Sequence, residues 1–404
     1  MRIVFAPIGT RGDVQPLLEL AGWMRMRGHD CLFVAPEPCC GLIRSQGFQA
    51  NALAGEFISV LGQSGQELRL LKLLGAQAAE IFDLLHRVCQ GADAIVGAML
   101  QFAAPTVAHT LRLPYFYVVF CPVMLPNSSL PLVGVPAERL PRMLNLAMHK
   151  IGAALWNYAL KRALNRERAR RGFAPVGDTL SHIVLSGTLL CAFDEKVAPL
   201  PAEYSRKSAP GFWHPSEDKP LDARLEEFVN QGPPPIYVGF GSQRFVHRDR
   251  LPDLAMRAVS LAGCRAVVQS GDGAVTSVAS NTLLVEYAPH RTLFRRVAAV
   301  VHHGGAGTFA AAVRCGTPQI IIPHYADQFY WAYRARRLAI GPKPLLNLLV
   351  TAGPLARTIR SVLATEQFRL NAERLAAEVA ERDGLIHAAE TIESHVAQCE
   401  FRRH

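Results

Sequence analysis

The groups best suited to chemistry are concentrated between Val300 and Gln328, in VVHHGGAGTFAAAVRCGTPQIIIPHYADQ. An apolar strand runs into His302 and His303, then into Gly304, Gly305, Ala306, Gly307 and Thr308, and then into a helix of small residues. Glycines at a strand-to-helix turn let backbone N–H groups approach an anion, and the helix dipole favours negative charge there. Taken alone, the same glycines also fit a purely structural bend. A histidine at the mouth of the turn can donate a charge-assisted bond to a diphosphate. Of the two, His302 is expected to take that role and His303 to be a core histidine. The stretch ends on Asp327 and Gln328. In isolation the pair would be ordinary loop surface.

A second turn follows the first strand directly: Gly9, Thr10, Arg11, Gly12, Asp13, Val14, Gln15, Pro16. Its glycines are three apart and charges fill it, so it is not the G-x-G-x-x-G of dinucleotide enzymes. Asp13 has two readings on its own, a helix cap ahead of Pro16 or a chemically active carboxylate.

These turns need elements to hold them. Arg2–Pro7, Asp30–Ala35, Ala94–Gly97 and Tyr115–Phe120 read as buried strands alternating with helical sequence, beginning with an amphipathic helix over Pro16–Arg27. The pattern loosens between Leu125 and Arg171 into a Pro-rich loop and a long helix. A second alternation contains strands Ile236–Phe240, Ala266–Gln269, Thr282–Val285, Ala299–His302 and Gln319–Pro323, and Leu355–Gln398 is almost wholly helical. The expected architecture is α/β, with two Rossmann-like doubly wound parallel sheets facing a cleft, because ligands bind such sheets outside the carboxyl ends of the strands. The expected divisions are 1–200, a proline-punctuated linker at 201–233, a second domain at 234–384, and a final helix, 385–404, packing back on the first domain.

Composition narrows the class. Of 404 residues, half are hydrophobic and 19% charged, enough apolar material for two cores and too much for disorder. No apolar run approaches the ~20 residues that cross a bilayer, and the first strand takes the place of a leader, so a cytoplasmic protein is expected. The nine cysteines form no C-x-x-C pair, and no Asp-x-Asp or His/carboxylate cluster points to a metal. Lys and Arg exceed Asp and Glu by 43 − 33 = 10. The densest basic run is Lys161–Arg171, six cations against one Glu. It reads either as a solvated helix face or as a peripheral foothold on anionic membrane. Without an aromatic ladder it does not read as a nucleic-acid site.

The Val300–Gln328 stretch resembles the donor-binding signature of family 1 nucleotide-sugar glycosyltransferases of the GT-B fold, within the bacterial natural-product and sterol glucosyltransferase branch. The Gly9–Pro16 turn is similar to the Gly-x-Arg-Gly-Asp-x-x-Pro turn of that branch, and PPIYVGFGSQ at Pro234–Gln243 to the opening of its second domain. The resemblance covers both domains and is weakest from about Gly55 to Pro199, where the family binds its acceptor. It implies that Asp13 is the general base and that Thr10, Arg11, Gly241 and Ser242 lie near the phosphates. It makes His302 the diphosphate ligand, with Gly304, Gly305, Ala306, Gly307 and Thr308 as an amide cradle. Tyr287 would stack on the base, with Ala288 and His290 beside it, and Asp327 and Gln328 would hold the sugar. Relatives carry a ribose-binding Glu eight residues after the signature histidine; that position here is Ala310.

The implied reaction is inverting, metal-independent transfer of a hexose from a nucleotide-sugar donor, UDP-glucose first, to a small lipophilic acceptor. No cofactor and no protein partner are implied. Phe116, Phe120, Met124, Leu125 and Trp156 would suit either an acceptor pocket or a core. An epimerase, a glycolipid-forming transferase at a membrane surface and an inactive homologue acting as an activator remain as other readings.

Overall fold

A computed structural model of the chain describes residues 1–63, 65–214, 219–240, 251–269, 276–279, 281–346 and 350–401. Gly241 and Ser242, both expected near the phosphates, lie outside the described residues. The chain divides into two units. Unit 1 takes residues 1–132, 139–214 and 383–404, and unit 2 takes residues 133–138 and 215–382.

Unit 1 is built on a parallel sheet of β1 (Arg2–Ile8), β2 (Asp30–Pro36), β3 (Gln49–Leu53), β4 (Ala94–Met99), β5 (Tyr115–Val119) and β6 (Thr188–Cys191), in the order β3-β2-β1-β4-β5-β6. Five of these strands are almost continuously apolar, because helices cover both faces of a parallel sheet. The sheet grows outward from β1 in both directions, so β1 and β4 flank the topological switch point, where ligands meet such a sheet. The first helix, Arg11–Met26, starts five residues earlier than the sequence pattern indicated and carries Pro16 inside it. It sends Val14, Leu17, Leu18, Ala21 and Met24 into the core. Beside it the helix Gly384–Phe401 contributes Leu385, Ala388, Ile392 and Val396, one stripe at helical spacing. Phe116 is wholly buried in this cluster, with its ring edge-on to His395 at 5.7 Å. It is a core residue, not part of an acceptor pocket.

Unit 2 repeats the plan with β7 (Ile236–Gly239), β8 (Ala266–Gln269), β9 (Thr276–Ala279), β10 (Thr282–Val285), β11 (Ala299–His302) and β12 (Gln319–Ile321), in the order β12-β11-β7-β8-β10-β9. Among the described strands only β9, at the edge, runs antiparallel to its neighbour. Alternate residues feed two cores. Ile236 and Val238 meet the helices Leu251–Ala262 and Ala352–Ala364 on one face, while Tyr237 meets Phe294 and Leu225 on the other. The switch point lies between β7 and β11, whose register pairs His302 with Gly239. The proline-rich stretch is shared between the units. Phe212 and Trp213 are buried in unit 1, whereas the helix Ala223–Asn230 packs Leu225 and Val229 into unit 2.

The helix Gly384–Phe401 is tied to the first helix by charge as well as packing. Glu393 accepts from Arg27 Nε and Nη2 at 2.8 and 2.7 Å and meets His29 Nε2 at 2.8 Å. These partners hold the Glu393 carboxyl down at about 2, from an ordinary 4.5. A depressed carboxylate pKa stabilises the fold above the unfolded value, and that stabilisation is lost as pH falls through the folded one. Glu393→Gln is therefore expected to lower the unfolding midpoint at pH 7, with the gap to the wild type closing between about pH 4.5 and pH 2. A gap of constant size across that window would show that the carboxylate charge contributes nothing.

Candidate active site

In unit 1 the site begins where β1 ends. Thr10 is the N-cap of the first helix and Asp13 its third residue. Asp13 Oδ2 accepts from the Thr10 N–H at 2.7 Å and the Thr10 hydroxyl at 2.9 Å. Thr10 is thus engaged with Asp13, and Arg11 is exposed in the first helical turn. The two readings of Asp13 merge, since the carboxylate that closes the capping motif is the one placed at the switch point. Among the described residues no hydrogen bond falls on Oδ1. Burial raises the Asp13 pKa and the two Thr10 bonds only partly oppose it. A Cβ at Gly9 would come within 2.6 Å of Asp13 Oδ2 and 2.7 Å of its Cβ, so only glycine leaves the carboxylate where it is. Tyr117, not singled out by the sequence, donates its hydroxyl to the Met99 carbonyl at 2.9 Å. Its own pKa is pushed up by burial and by the Asp13 charge. Met99 sits at φ +58°, a left-handed backbone at the end of β4, directly opposite Ile8 in register.

In unit 2 the glycine turn corrects the expectation for the two histidines. His302 is the last residue of β11 and is wholly buried. Its Nδ1 accepts from the Gly304 N–H at 3.1 Å, so Nε2 carries the proton and donates to Gln319 Oε1 at 2.9 Å. Both ring nitrogens are engaged inside the protein, which leaves none for a diphosphate. His303 is the first residue past the strand, and its Nε2 occupies the space that a Cβ at Gly305 would fill. The ring that lies against the N-cap of the following helix is therefore that of His303, itself only 7% exposed. Burial pushes both imidazoles down to about 3, so His303 is neutral at physiological pH and donates a single N–H. Gly304 is at φ +90° and a Cβ there would meet Ile321 Cγ2 at 2.8 Å and the Gln328 carbonyl at 3.0 Å.

The helix Ala306–Arg314 starts from Gly305, which has no side chain to cap it, carries no acidic residue in its first turn and ends on Arg314. Its first N–H groups and the positive end of its dipole suit an anion. Gly307 is exposed and Thr308 half-buried at this end. Counting eight residues from His303 gives Ala311, again an alanine, so no carboxylate takes the ribose position by either count.

The remaining expected contacts divide. Tyr287 is 57% exposed on the loop after β10, available to stack on a base, while Ala288 is buried in the core. His290 is fixed by stacking on Phe294 at 4.6 Å and by Nε2 meeting the Tyr237 hydroxyl at 3.3 Å. Asp327 is half-buried and accepts from the Trp331 indole at 3.0 Å. Gln328 turns inward and is only 2% exposed, with Oε1 accepting from the His324 N–H at 2.8 Å and the Tyr325 N–H at 3.3 Å. It builds the turn and does not offer that oxygen to a sugar. The turn is further held by the short segment 133–138 of the same unit, where Gly134 N–H donates to the Ala326 carbonyl at 3.0 Å. Of the expected acceptor residues in unit 1, Phe120 and Leu125 are buried, whereas Met124 and Trp156 are half-exposed. Among the described residues no group of three or more His, Cys, Asp or Glu side chains could hold a metal.

The chain is 32% identical to "Glycosyltransferase GtfE" of Amycolatopsis orientalis over 420 residues, covering 98% of each protein. It belongs to the family 1 glycosyltransferases of natural-product type. This glycosyltransferase is also 30% identical to "O-mycaminosyltylonolide 6-deoxyallosyltransferase" of Streptomyces fradiae, covering 97% of each. Residues 261–392 match the family described as "Erythromycin biosynthesis protein CIII-like, C-terminal domain". Among solved structures the fold is similar to glycosyltransferase VinC in complex with DTDP, with a TM-score of 0.70 at 19% identity over 98% of this chain and 100% of that one. Two parallel-sheet α/β units are the architecture that such glycosyltransferases share.

The two histidines should separate cleanly in stability. His302→Ala removes the acceptor of the Gly304 N–H and the donor to Gln319, leaving buried polar groups that each cost ~1–3 kcal/mol. Its denaturation midpoint is expected to fall by several degrees, and by more than that of His303→Ala, which removes a buried ring but not the bond that holds Gly304. Equal midpoints would mean that the His302 network does not hold the turn.

Proposed function

We propose that this glycosyltransferase moves a hexose from a nucleoside diphosphate donor to a hydroxyl of a small lipophilic acceptor, in a single inverting displacement. The observation that carries this reading is Asp13, a carboxylate with raised pKa, held by Thr10 through Oδ2 at the switch point of unit 1, with no bond on Oδ1 among the described residues. The acceptor O–H proton passes to Asp13 Oδ1 as the oxygen forms its bond to the anomeric carbon. The bond to the diphosphate breaks at the same time, and its electron pair leaves with the nucleotide. In unit 2 the helix Ala306–Arg314 and the His303 N–H would meet the charge that develops there. Tyr287 would stack on the base. The carboxamide oxygen of Gln328 is turned inward and gives no ground for preferring glucose. The Streptomyces fradiae relative and the VinC complex make a dTDP-activated hexose the donor to compare with UDP-glucose. An acceptor of natural-product type is supported by the relatives' names, and the half-exposed Met124 and Trp156 are the apolar groups to mutate first.

Asp13→Asn keeps the size of the side chain but cannot accept a proton at neutral pH. Turnover is expected to fall roughly 10²–10⁴-fold, with the melting temperature and nucleotide affinity little changed. The wild-type kcat/KM should fall on the acid side with an apparent pKa above the ~3.9 of a free Asp, because a protonated Asp13 cannot act as base. Turnover within a few-fold of wild type would leave Asp13 as a helix cap only.

Titration calorimetry in excess EDTA tests the donor half. UDP or dTDP should bind without a divalent cation, and His303→Ala should weaken binding at least about tenfold through loss of a phosphate hydrogen bond. Binding that requires magnesium or manganese, or that survives His303→Ala unchanged, would count against this assignment.

A further inference from the structure

The C-terminal part of the basic run that drew attention in the sequence is engaged by the protein itself. Arg168 is buried and donates to the Ala174 carbonyl and Thr106 hydroxyl; Arg170 and Arg171 bind the buried Glu167, and Arg171 also binds Asp83. Arg162 and Arg166 are exposed and belong to a feature that begins before the run. The helix Arg142–Trp156 continues through a π-helical turn, Asn157–Lys161, into Arg162–Arg170 without a break. Of its first fifteen residues only Asn145 and Gly152 are buried. Asn145 anchors that side by donating to the Ser128 and Leu130 carbonyls.

The opposite side shows Met143 at 84% exposure, Ile151 at 61%, Leu155 at 46% and Tyr158 at 70%. Their spacing of eight, four and three residues puts them on one helical stripe. Between Arg139 and Arg166 the chain carries six cations, Arg139, Arg142, Lys150, Lys161, Arg162 and Arg166, and no Asp or Glu. Lys150, Arg162 and Arg166 are exposed, and Lys72 of the neighbouring helix Glu67–Ala76 lies over the Tyr158 ring at 5.0 Å. Two carboxylates are felt at these cations, Glu203 by Arg142 and Asp178 by Lys161.

From this juxtaposition we infer that the Met143–Tyr158 face docks on an anionic lipid surface. An apolar stripe fringed by cations, with Tyr158 at its end, has the composition of a helix that lies in the membrane interface: the side chains enter the acyl boundary while Lys and Arg remain among the headgroups. The contact is peripheral, since no described helix is long and apolar enough to cross a bilayer. A protein partner would need acidic groups to match the same fringe and is the outcome that the test must separate. The inference stands on surface chemistry alone and does not depend on the catalytic assignments.

Vesicle flotation of the full-length protein decides it. The protein should float with phosphatidylcholine vesicles containing one-third phosphatidylglycerol, much less with phosphatidylcholine alone, and should be released as salt is raised. Ile151→Asp with Leu155→Asp should reduce the bound fraction at least about tenfold, at an unchanged melting temperature because both residues are exposed. Lys150→Glu with Arg162→Glu should abolish the preference for the anionic lipid. No flotation with anionic vesicles, or flotation indifferent to these substitutions, would overturn the proposal. So would light scattering that shows a dimer broken by Ile151→Asp in a protein that ignores vesicles.

Discussion

The shape of unit 2's ligand-facing edge depends on one buried relay. The Gly304 N–H donates to His302, His302 donates to Gln319, and Gln319 Nε2 reaches the Phe309 carbonyl at 3.5 Å. The relay runs from the first residue of the turn, through the neighbouring strand, to the helix that the turn begins. It fixes the tautomer of His302 and holds Gly304 in its left-handed conformation. His303 is thereby placed against the N-cap of the following helix while the first helical turn is left open. A buried polar network holds its geometry only when every member is satisfied, and here the histidine that looked functional is the one that satisfies it.

Much of this was legible in the sequence because parallel strands covered on both faces are written as apolar runs. Three strands of unit 2, Ala266–Gln269, Thr282–Val285 and Ala299–His302, fall where the pattern puts them. What escaped has physical reasons. β3, reading QANAL, lies at the sheet edge with most residues partly exposed, so it lacks the apolar signature. Pro16 looked like a helix start, but the capping pair Thr10 and Asp13 begins the helix a turn and a half earlier. The two histidines are adjacent in a motif whose glycines attract attention equally to both. The informative signal was the strand's own length: His302 is its last residue and His303 the first beyond it, although both are buried. Gln328 misled for a related reason, because an amide that can hold a sugar can equally hold the backbone of its own turn.

The electrostatic design differs between the halves. In unit 1, burial works against charge on Asp13 and makes it a better proton acceptor than a solvated carboxylate. In unit 2, burial removes charge from His290, His302, His303 and His324, whose values fall to about 3 or 4. Positive potential at the turn then comes from oriented peptide groups, which need no proton and do not titrate.

The return of residues 383–404 to unit 1 bears on how the protein is made. The sheet of that unit is complete in sequence by Cys191, yet the face of Phe5, Phe33 and Phe116 is not fully covered until Leu385 to Val396 have arrived. A ribosome adding ~5–20 residues per second therefore holds unit 1 with an open apolar face while all of unit 2 is synthesised, an interval of ~10 seconds or more. Unit 2, nearly contiguous in sequence, can close first. The first unit to emerge is the last to finish, and during that interval its uncovered core face is the natural target of chaperones and the first point of aggregation.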